Sequence, residues 1–130
     1  MELPANLVRA VAMNDDHGTI EAAKEYLETN PSSVEALQHL VAAAVRIQDA
    51  RTAIQAATTW TATTPDSAEA WYSLGLAHAL GEDPLAAMSA HQEAIKQDPQ
   101  HVGALINVAG YFSRAGYLRE AVTAFQSAVT

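Results

Sequence analysis

The feature that most constrains the fold of this chain is an internal repeat of 34 residues. The repeat runs without a gap from Val34 to the end of the sequence, and similar residues recur in five columns. The columns are Pro31, Pro65 and Pro99; Ala36, Ala70 and Ala104; Leu37, Trp71 and Leu105; Leu40, Leu74 and Val108; and Ala53, Ala87 and Ala121. Agreement of five columns in one register indicates that the chain is a series of similar structural units.

Within each unit the apolar residues follow the spacing of a helix and not that of a strand. Trp71, Leu74, Gly75 and His78 lie at positions i, i+3, i+4 and i+7, and helical spacing resumes after a turn. Each unit is therefore predicted to be two helices. The predicted helices cover residues 4–14, 19–29, 34–47, 50–63, 68–80, 84–97, 102–115 and 118–129.

The residues between the predicted helices are typical of helix ends. Gly81 follows one helix, Asp83 is expected to cap the next, and Pro84 lies in a first turn, where a missing N–H costs nothing. The spacing of Asp66 and Glu69 predicts a capping box at the start of the helix over 68–80.

The units divide one domain into four consecutive parts. Residues 1–33 form a degenerate helix pair, because the stretch from Gly18 to Pro31 is shorter than its later counterparts. This pair is expected to cap the array, since a terminal repeat has one face without a neighbour. The regular units are expected at 34–67, 68–101 and 102–130, and the last one is incomplete at its C-terminal end.

Composition narrows the classes of partner. Fifteen acidic against seven basic residues give a net charge of −8, which argues against nucleic acid and anionic membranes. The chain has no cysteine, and its apolar runs fall short of the roughly 20 residues that span a bilayer. The N-terminal stretch has Glu2 and an interrupted apolar run, unlike a signal peptide, so a cytoplasmic protein is expected.

A 34-residue helix pair with the pattern W-x2-L-G, then A, then P resembles the tetratricopeptide repeat family. The residues that carry this resemblance in the best unit are Trp71, Leu74, Gly75, Ala87, Ala94 and Pro99. Gly75 and Ala87 are expected to be small because the two helices approach closely there. The resemblance implies an all-α, right-handed α-solenoid of antiparallel helix pairs. It also implies a non-catalytic protein–protein interaction module or scaffold without a cofactor.

The resemblance further implies a concave groove, lined by the first helix of each unit, that binds an extended peptide or a partner's helix. The register assigns to this groove Gln38, Ala42, Arg46, Glu69, Tyr72, Leu76, Leu80, Ile106, Asn107 and Arg114. This surface is largely apolar and fits an apolar or mixed peptide or the apolar face of an amphipathic helix. The alternative is that the preceding unit, or the chain's own N-terminal helix, covers Tyr72, Leu76 and Leu80.

Five histidines raise the question of a metal or catalytic site. By register His78 and His91 replace aromatic residues and are expected to face each other across one helix pair. Two imidazoles make an incomplete zinc site, so structural packing is the favoured interpretation and no metal is predicted. No nucleophile elbow, phosphate loop or HExxH string occurs, and we expect a protein that is not an enzyme.

The last predicted helix carries apolar residues that no following helix covers. These residues are Val122, Phe125 and Val129. Repeat arrays usually end in a unit with a polar outer face, and this helix lacks one. The face therefore predicts either a homo-oligomer or an N-terminal region of a longer protein, such as an enzyme whose repeats recruit substrate.

Overall fold

The computed structural model describes residues 2–116 and 118–129, and in the last helix it describes the side chains of residues 119, 120, 122–124, 126 and 127. The described residues are helical apart from short turns and ends. The helices are α1 (Ala5–Ala12), α2 (Asp16–Thr29), α3 (Val34–Arg46), α4 (Ala50–Thr63), α5 (Ala68–Leu80), α6 (Pro84–Gln97), α7 (Val102–Arg114) and α8 (Leu118–Val129). The predicted fold class, a series of helix pairs, is confirmed.

Each helix packs against the next one along the chain, from α1 through α8, and α3 also contacts α5. The helix pairs are therefore stacked in chain order, and the first helices of the second and third units meet along one side. Small residues allow this close packing, because Ala36, Ala70 and Ala104 have no exposed surface at the start of α3, α5 and α7.

The turn inside each unit has the same backbone conformation in all four units. Asn14, Gln48, Glu82 and Gly116 have φ angles of 54°, 62°, 61° and 88°, and they are 34 residues apart. In the first three units the aspartate that follows, Asp15, Asp49 or Asp83, caps the second helix. The prediction that the first pair leaves the register is wrong at this turn, and α2 begins at Asp16 instead of residue 19. The first pair differs in length, since α1 has 8 residues and α3 has 13.

The start of α5 corrects the predicted capping box. Its N-cap is Ser67, whose hydroxyl oxygen accepts a 3.2 Å hydrogen bond from the backbone N–H of Ala70. Ser33 caps α3 in the same way, because the 34-residue register places both serines at the same position. Asp66 therefore lies one residue before the cap. At the end of α5 the left-handed residue is Glu82, and Gly81 has an ordinary φ of −79°.

The second unit accommodates a tryptophan where later units have alanine. Trp60 is only 5% exposed, and Ala56 and Ala57 are buried one turn before it. The indole thus fills space that small neighbours leave, which agrees with a redistribution of volume inside one layer. Among the described residues we find no helix that is both long enough and apolar enough to cross a membrane.

Candidate functional site

A cavity of about 590 Å³ opens between the first helices of the third and fourth units, with α6 behind it. Its walls combine apolar side chains with a few polar groups. The lining residues are Leu76, Ala79, Glu82, Pro84, Ala87, Met88, His91, Ile106, Asn107, Gly110, Tyr111 and Arg114. Ile106 is 46% exposed and Met88 is 8% exposed, so the apolar wall extends from the protein interior to its surface.

The back of this cavity depends on a close contact between α5 and α6. The imidazole of His91 packs directly over Gly75, and a Cβ at residue 75 would overlap all three of its nearest ring atoms. Residue 75 is a glycine because a side chain there would collide with the imidazole. The backbone conformation is not the reason, since Gly75 has an ordinary helical backbone. The ring also stacks obliquely against Tyr72, with centroids 5.5 Å apart.

His91 is a buried polar group with incomplete hydrogen bonding. It is 4% exposed, and its Nε2 lies 3.3 Å from the side-chain amide nitrogen of Asn107 on α7. Its Nδ1 has no hydrogen-bond partner among the described residues. Burial, with a smaller contribution from His101, lowers the pKa of His91 from 6.5 to about 4. The imidazole is therefore neutral near pH 7.

His101 joins the third unit to the fourth. Its Nδ1 accepts a 3.1 Å hydrogen bond from the backbone N–H of Ala104 and caps α7, as serines cap α3 and α5. Its Nε2 lies 2.6 Å from a carboxylate oxygen of Glu69. Because Nδ1 is the acceptor, Nε2 carries the hydrogen and donates a hydrogen bond to the carboxylate. The side chain of His101 is only 12% exposed, so this histidine is part of the contact between the two units.

The ten residues assigned to the groove from sequence fall into two groups. Four of them line the cavity, namely Leu76, Ile106, Asn107 and Arg114. The other six lie outside it. Glu69 and Tyr72 belong to the contact with His101, Leu80 is half-buried at the end of α5, and Arg46 pairs with Asp16 at 2.8 Å. Gln38 is exposed and Ala42 half-buried on α3.

Tyr72 shows which part of the chain covers the first-helix surface of the third unit. Its ring lies 4.8 Å from that of His101, and a Cβ at Gly103 would come within 2.9 Å of it. The following unit therefore contacts Tyr72, whereas the sequence-based alternative names the preceding unit or the N-terminal helix. Leu76, one turn further along α5, still lines the open cavity.

Sequence reasoning missed the contribution of the second helix. Met88 and His91 on α6 lie behind the cavity, and Tyr111 lies on its α7 side. The prediction assigns the groove to first helices alone, yet α6 contacts both α5 and α7. The sequence does contain one sign of this arrangement. In the third unit a glycine, Gly75, on the first helix is combined with a polar residue, His91, on the second. The expected pairing of His91 with His78 is replaced by contact with Gly75, Tyr72 and Asn107.

The residues proposed for self-association lie on α8. Val122 is 54% exposed, and the side chains of Phe125 and Val129 lie outside those that the structure describes. Within the described part of the chain, no group of three or more histidine, aspartate or glutamate side chains is placed to hold a metal ion.

The helix pairs and their groove define the fold of tetratricopeptide repeat proteins, which is generally a scaffold for protein interaction and typically non-catalytic. No protein-family model matches the sequence, and no curated protein matches it. Solved structures do match. A crystal structure of MamA is 24% identical over 95% of this chain and 72% of its own, with a TM-score of 0.88. A second MamA crystal structure is 26% identical over 95% of this chain and 68% of its own, with a TM-score of 0.87.

A third similar structure is itself described as a tetratricopeptide repeat protein. It is a thermophilic TPR protein in Thermus thermophilus, 17% identical over 95% of this chain and 69% of its own, with a TM-score of 0.72. The sequence-based recognition of the tetratricopeptide repeat is thus confirmed at the level of fold.

Proposed function

We propose that this chain is a non-catalytic interaction module that binds a peptide segment of a partner protein in the cavity between α5 and α7. The observation that carries the proposal is the cavity itself, whose volume of about 590 Å³ lies within the range of about 300 to 1,000 Å³ of ligand pockets. Its apolar wall, formed by Leu76, Met88 and Ile106, suits one or two apolar side chains of a peptide.

Polar groups around this wall favour a peptide over a purely apolar ligand. Asn107 offers an amide whose position is set by the neighbouring His91 ring. Arg114 and Glu82 line the same cavity and can distinguish acidic from basic residues that flank the apolar anchor. An extended peptide and an amphipathic helix both present such an anchor, and the register leaves both forms open.

The test uses a pair of matched substitutions. Leu76→Glu places a charge in the cavity wall, whereas Leu85→Glu makes the same chemical change at a residue that is 70% exposed and outside the cavity. Fluorescent peptides selected from a random display library against the wild-type chain serve as the probe. We expect Leu76→Glu to weaken their binding about tenfold or more, since a buried unpaired charge is costly.

Leu85→Glu should bind these peptides as the wild type does, and circular dichroism should show equal helix content in all three proteins. Equal affinity of the three proteins would contradict the proposal. Tyr72→Ala is a less specific test, because the Tyr72 ring also packs against His91 and His101.

Further sequence-based predictions remain untested. The cytoplasmic location stays a prediction, and so does the alternative that these repeats recruit substrate within a longer protein. The alternative of self-association through α8 stays a prediction as well.

A further inference from the structure

One ion pair between the first two units shows how the stack places a carboxylate against an arginine. Arg46 is the last residue of α3, and its Nε lies 2.8 Å from Oδ1 of Asp16, the first residue of α2. The pair thus joins the end of a first helix to the start of the second helix in the preceding unit. Because the repeat has a period of 34 residues, the same two positions occur again between the later units.

The equivalent positions in the later units carry different residues. Between the second and third units they are Leu80, the last residue of α5, and Ala50, the first residue of α4, so neither position is charged. Between the third and fourth units they are Arg114, the last residue of α7, and Pro84, the first residue of α6. Here the arginine is kept and the carboxylate is replaced. None of the ion pairs among the described residues includes Arg114.

Arg114 and Pro84 both line the cavity between α5 and α7. A Cβ at Gly110 would lie 3.9 Å from Nη1 of Arg114, so the guanidinium lies beside Gly110, which lines the same cavity. The cavity therefore combines an apolar wall with a guanidinium whose equivalent in the second unit binds a carboxylate. Since Pro84 belongs to the preceding unit, this position lies between two units that the structure describes.

We propose that the peptide segment bound in this cavity carries an aspartate or glutamate side chain beside its apolar anchor, and that Arg114 binds this carboxylate. The inference rests on the proposed function, because it concerns the ligand of the same cavity. A guanidinium presents its N–H donors in a planar fork that matches the two oxygens of a carboxylate. The chain's own Asp16 fills this role for Arg46, which favours a carboxylate over other anions.

The charges near Arg114 favour an acidic ligand as well. The whole chain has a net charge of −8, whereas residues 102–130 contain two arginines and one glutamate. Glu82 lines the cavity, but no ion pair joins it to Arg114. The carboxylate of Asp83 caps α6, where it accepts a 3.1 Å hydrogen bond from the backbone N–H of Ala86. A ligand carboxylate can therefore pair with Arg114 without displacing an existing ion pair.

The experiment starts from peptides selected from a random display library against the wild-type chain. These peptides should be enriched in aspartate or glutamate beside an apolar residue. Changing that acid to its amide should weaken binding about fivefold or more, and so should Arg114→Gln in the protein, since each change removes one side of a charge-assisted contact. The two changes together should weaken binding little more than either one alone.

The matched control is Arg51→Gln, which removes the same charge from an exposed residue of α4 outside the cavity. This variant should bind the acidic peptide as the wild type does. Circular dichroism should show equal helix content in all of these proteins.

A second variant supplies the missing carboxylate from the protein itself. Pro84→Asp gives the third unit the residue that the first unit has at Asp16, at the start of a helix, where a negative charge is favourable. The new carboxylate should pair with Arg114 and weaken binding of the acidic peptide more than binding of its amide form. Pro84→Ala removes the proline without adding a charge and should bind both peptides as the wild type does.

Three outcomes would overturn the inference. They are selected peptides without an acidic residue, selected peptides with a basic residue instead, which Glu82 would explain, and equal effects of Arg114→Gln and Arg51→Gln. Leu76→Glu separates these outcomes from failure of the proposed function. If Leu76→Glu weakens binding and Arg114→Gln does not, the cavity binds peptides but Arg114 does not bind a carboxylate. If the wild type selects no peptide, or if Leu76→Glu binds the peptides equally well, both proposals fail.

Discussion

The second and third units place their larger side chain on opposite helices of the pair. At one register position of each helix pair, the second unit has Val41 on its first helix and Ala57 on its second, 4% and 0% exposed. The third unit has Gly75 on the first helix and His91 on the second, and the imidazole occupies the space that glycine leaves. Volume has moved from one helix to the other while the helix pair keeps its length and its turn.

The exchange also changes which helix supplies the polar group behind the cavity. An alanine at residue 91 could not reach Asn107, whereas the imidazole does so at 3.3 Å and also contacts Tyr72. The third unit thereby gains a polar group behind its cavity. It also keeps a buried ring nitrogen, Nδ1, without a partner among the described residues, which is a destabilising feature that the Val41–Ala57 pair avoids.

The largest expected effect comes from placing the second unit's residue in the third. Gly75→Val should destabilise the protein by about 3 kcal/mol, because its side chain overlaps the imidazole and overpacking strains the core. Urea unfolding followed by circular dichroism measures the loss. The double variant Gly75→Val with His91→Ala restores the arrangement of the second unit and should recover most of it. A double variant less stable than Gly75→Val would disprove the equivalence of the two solutions.

A smaller effect is expected on the pH dependence of the free energy of unfolding, because the third unit has a buried histidine where the second unit has Ala57. The pKa of His91 is about 4 in the folded protein and 6.5 ordinarily, so the unfolded chain binds more protons between these values. Stability should therefore fall as the pH drops, by about 1 to 2 kcal/mol between about pH 7.5 and pH 5. His91→Gln should flatten this dependence. Identical pH profiles of the two proteins in urea unfolding would count against a neutral, buried His91.

Asp49 also has a shifted pKa, but its shift affects stability in a lower pH range than that of His91. Hydrogen bonds from Thr52 lower this carboxyl pKa from its ordinary value of 3.8, with further causes of smaller size. Its stabilising contribution is therefore present above about pH 4 and is lost only below it. Asp49 therefore does not affect the comparison of the wild type with His91→Gln above about pH 5.

The smallest effects should show where the two units are alike. Ser33 and Ser67 cap α3 and α5 with the same hydrogen bond, so Ser33→Ala and Ser67→Ala should each cost about 1 kcal/mol. Asp66→Ala should cost close to nothing, because Asp66 is exposed and lies before the cap. Thermal unfolding distinguishes these outcomes. A greater loss of stability from Asp66→Ala than from Ser67→Ala would instead support the capping box predicted from the sequence.

Much of the fold was predictable because its determinants are local. Helical spacing and turn residues placed α4, α5, α6 and α8 at their observed bounds. The errors were also local in kind. The start of α2 was placed too late because Gly18 suggests a turn, whereas the left-handed residue is Asn14 and Asp15 is the cap.

The candidate site was predictable only in part, because it combines three helices. The register found Leu76, Ile106, Asn107 and Arg114, whose positions follow from the spacing of first helices. It also assigned Arg46 to the groove, but this side chain pairs with Asp16 of the preceding unit. Such long-range pairing depends on rotamers and neighbours that no periodic pattern encodes.

The sequence by itself determined the repeat, the helix pairs and the tetratricopeptide fold, because a 34-residue period and helical spacing are properties of the chain in one dimension. Tertiary structure decided that His91 lies over Gly75 and reaches Asn107, and that His101 caps α7 and donates a hydrogen bond to Glu69. These contacts arise between helices of different units. Their geometry is set by the volume and polarity of the side chains that meet there, and each of those properties acts only after the helices have packed.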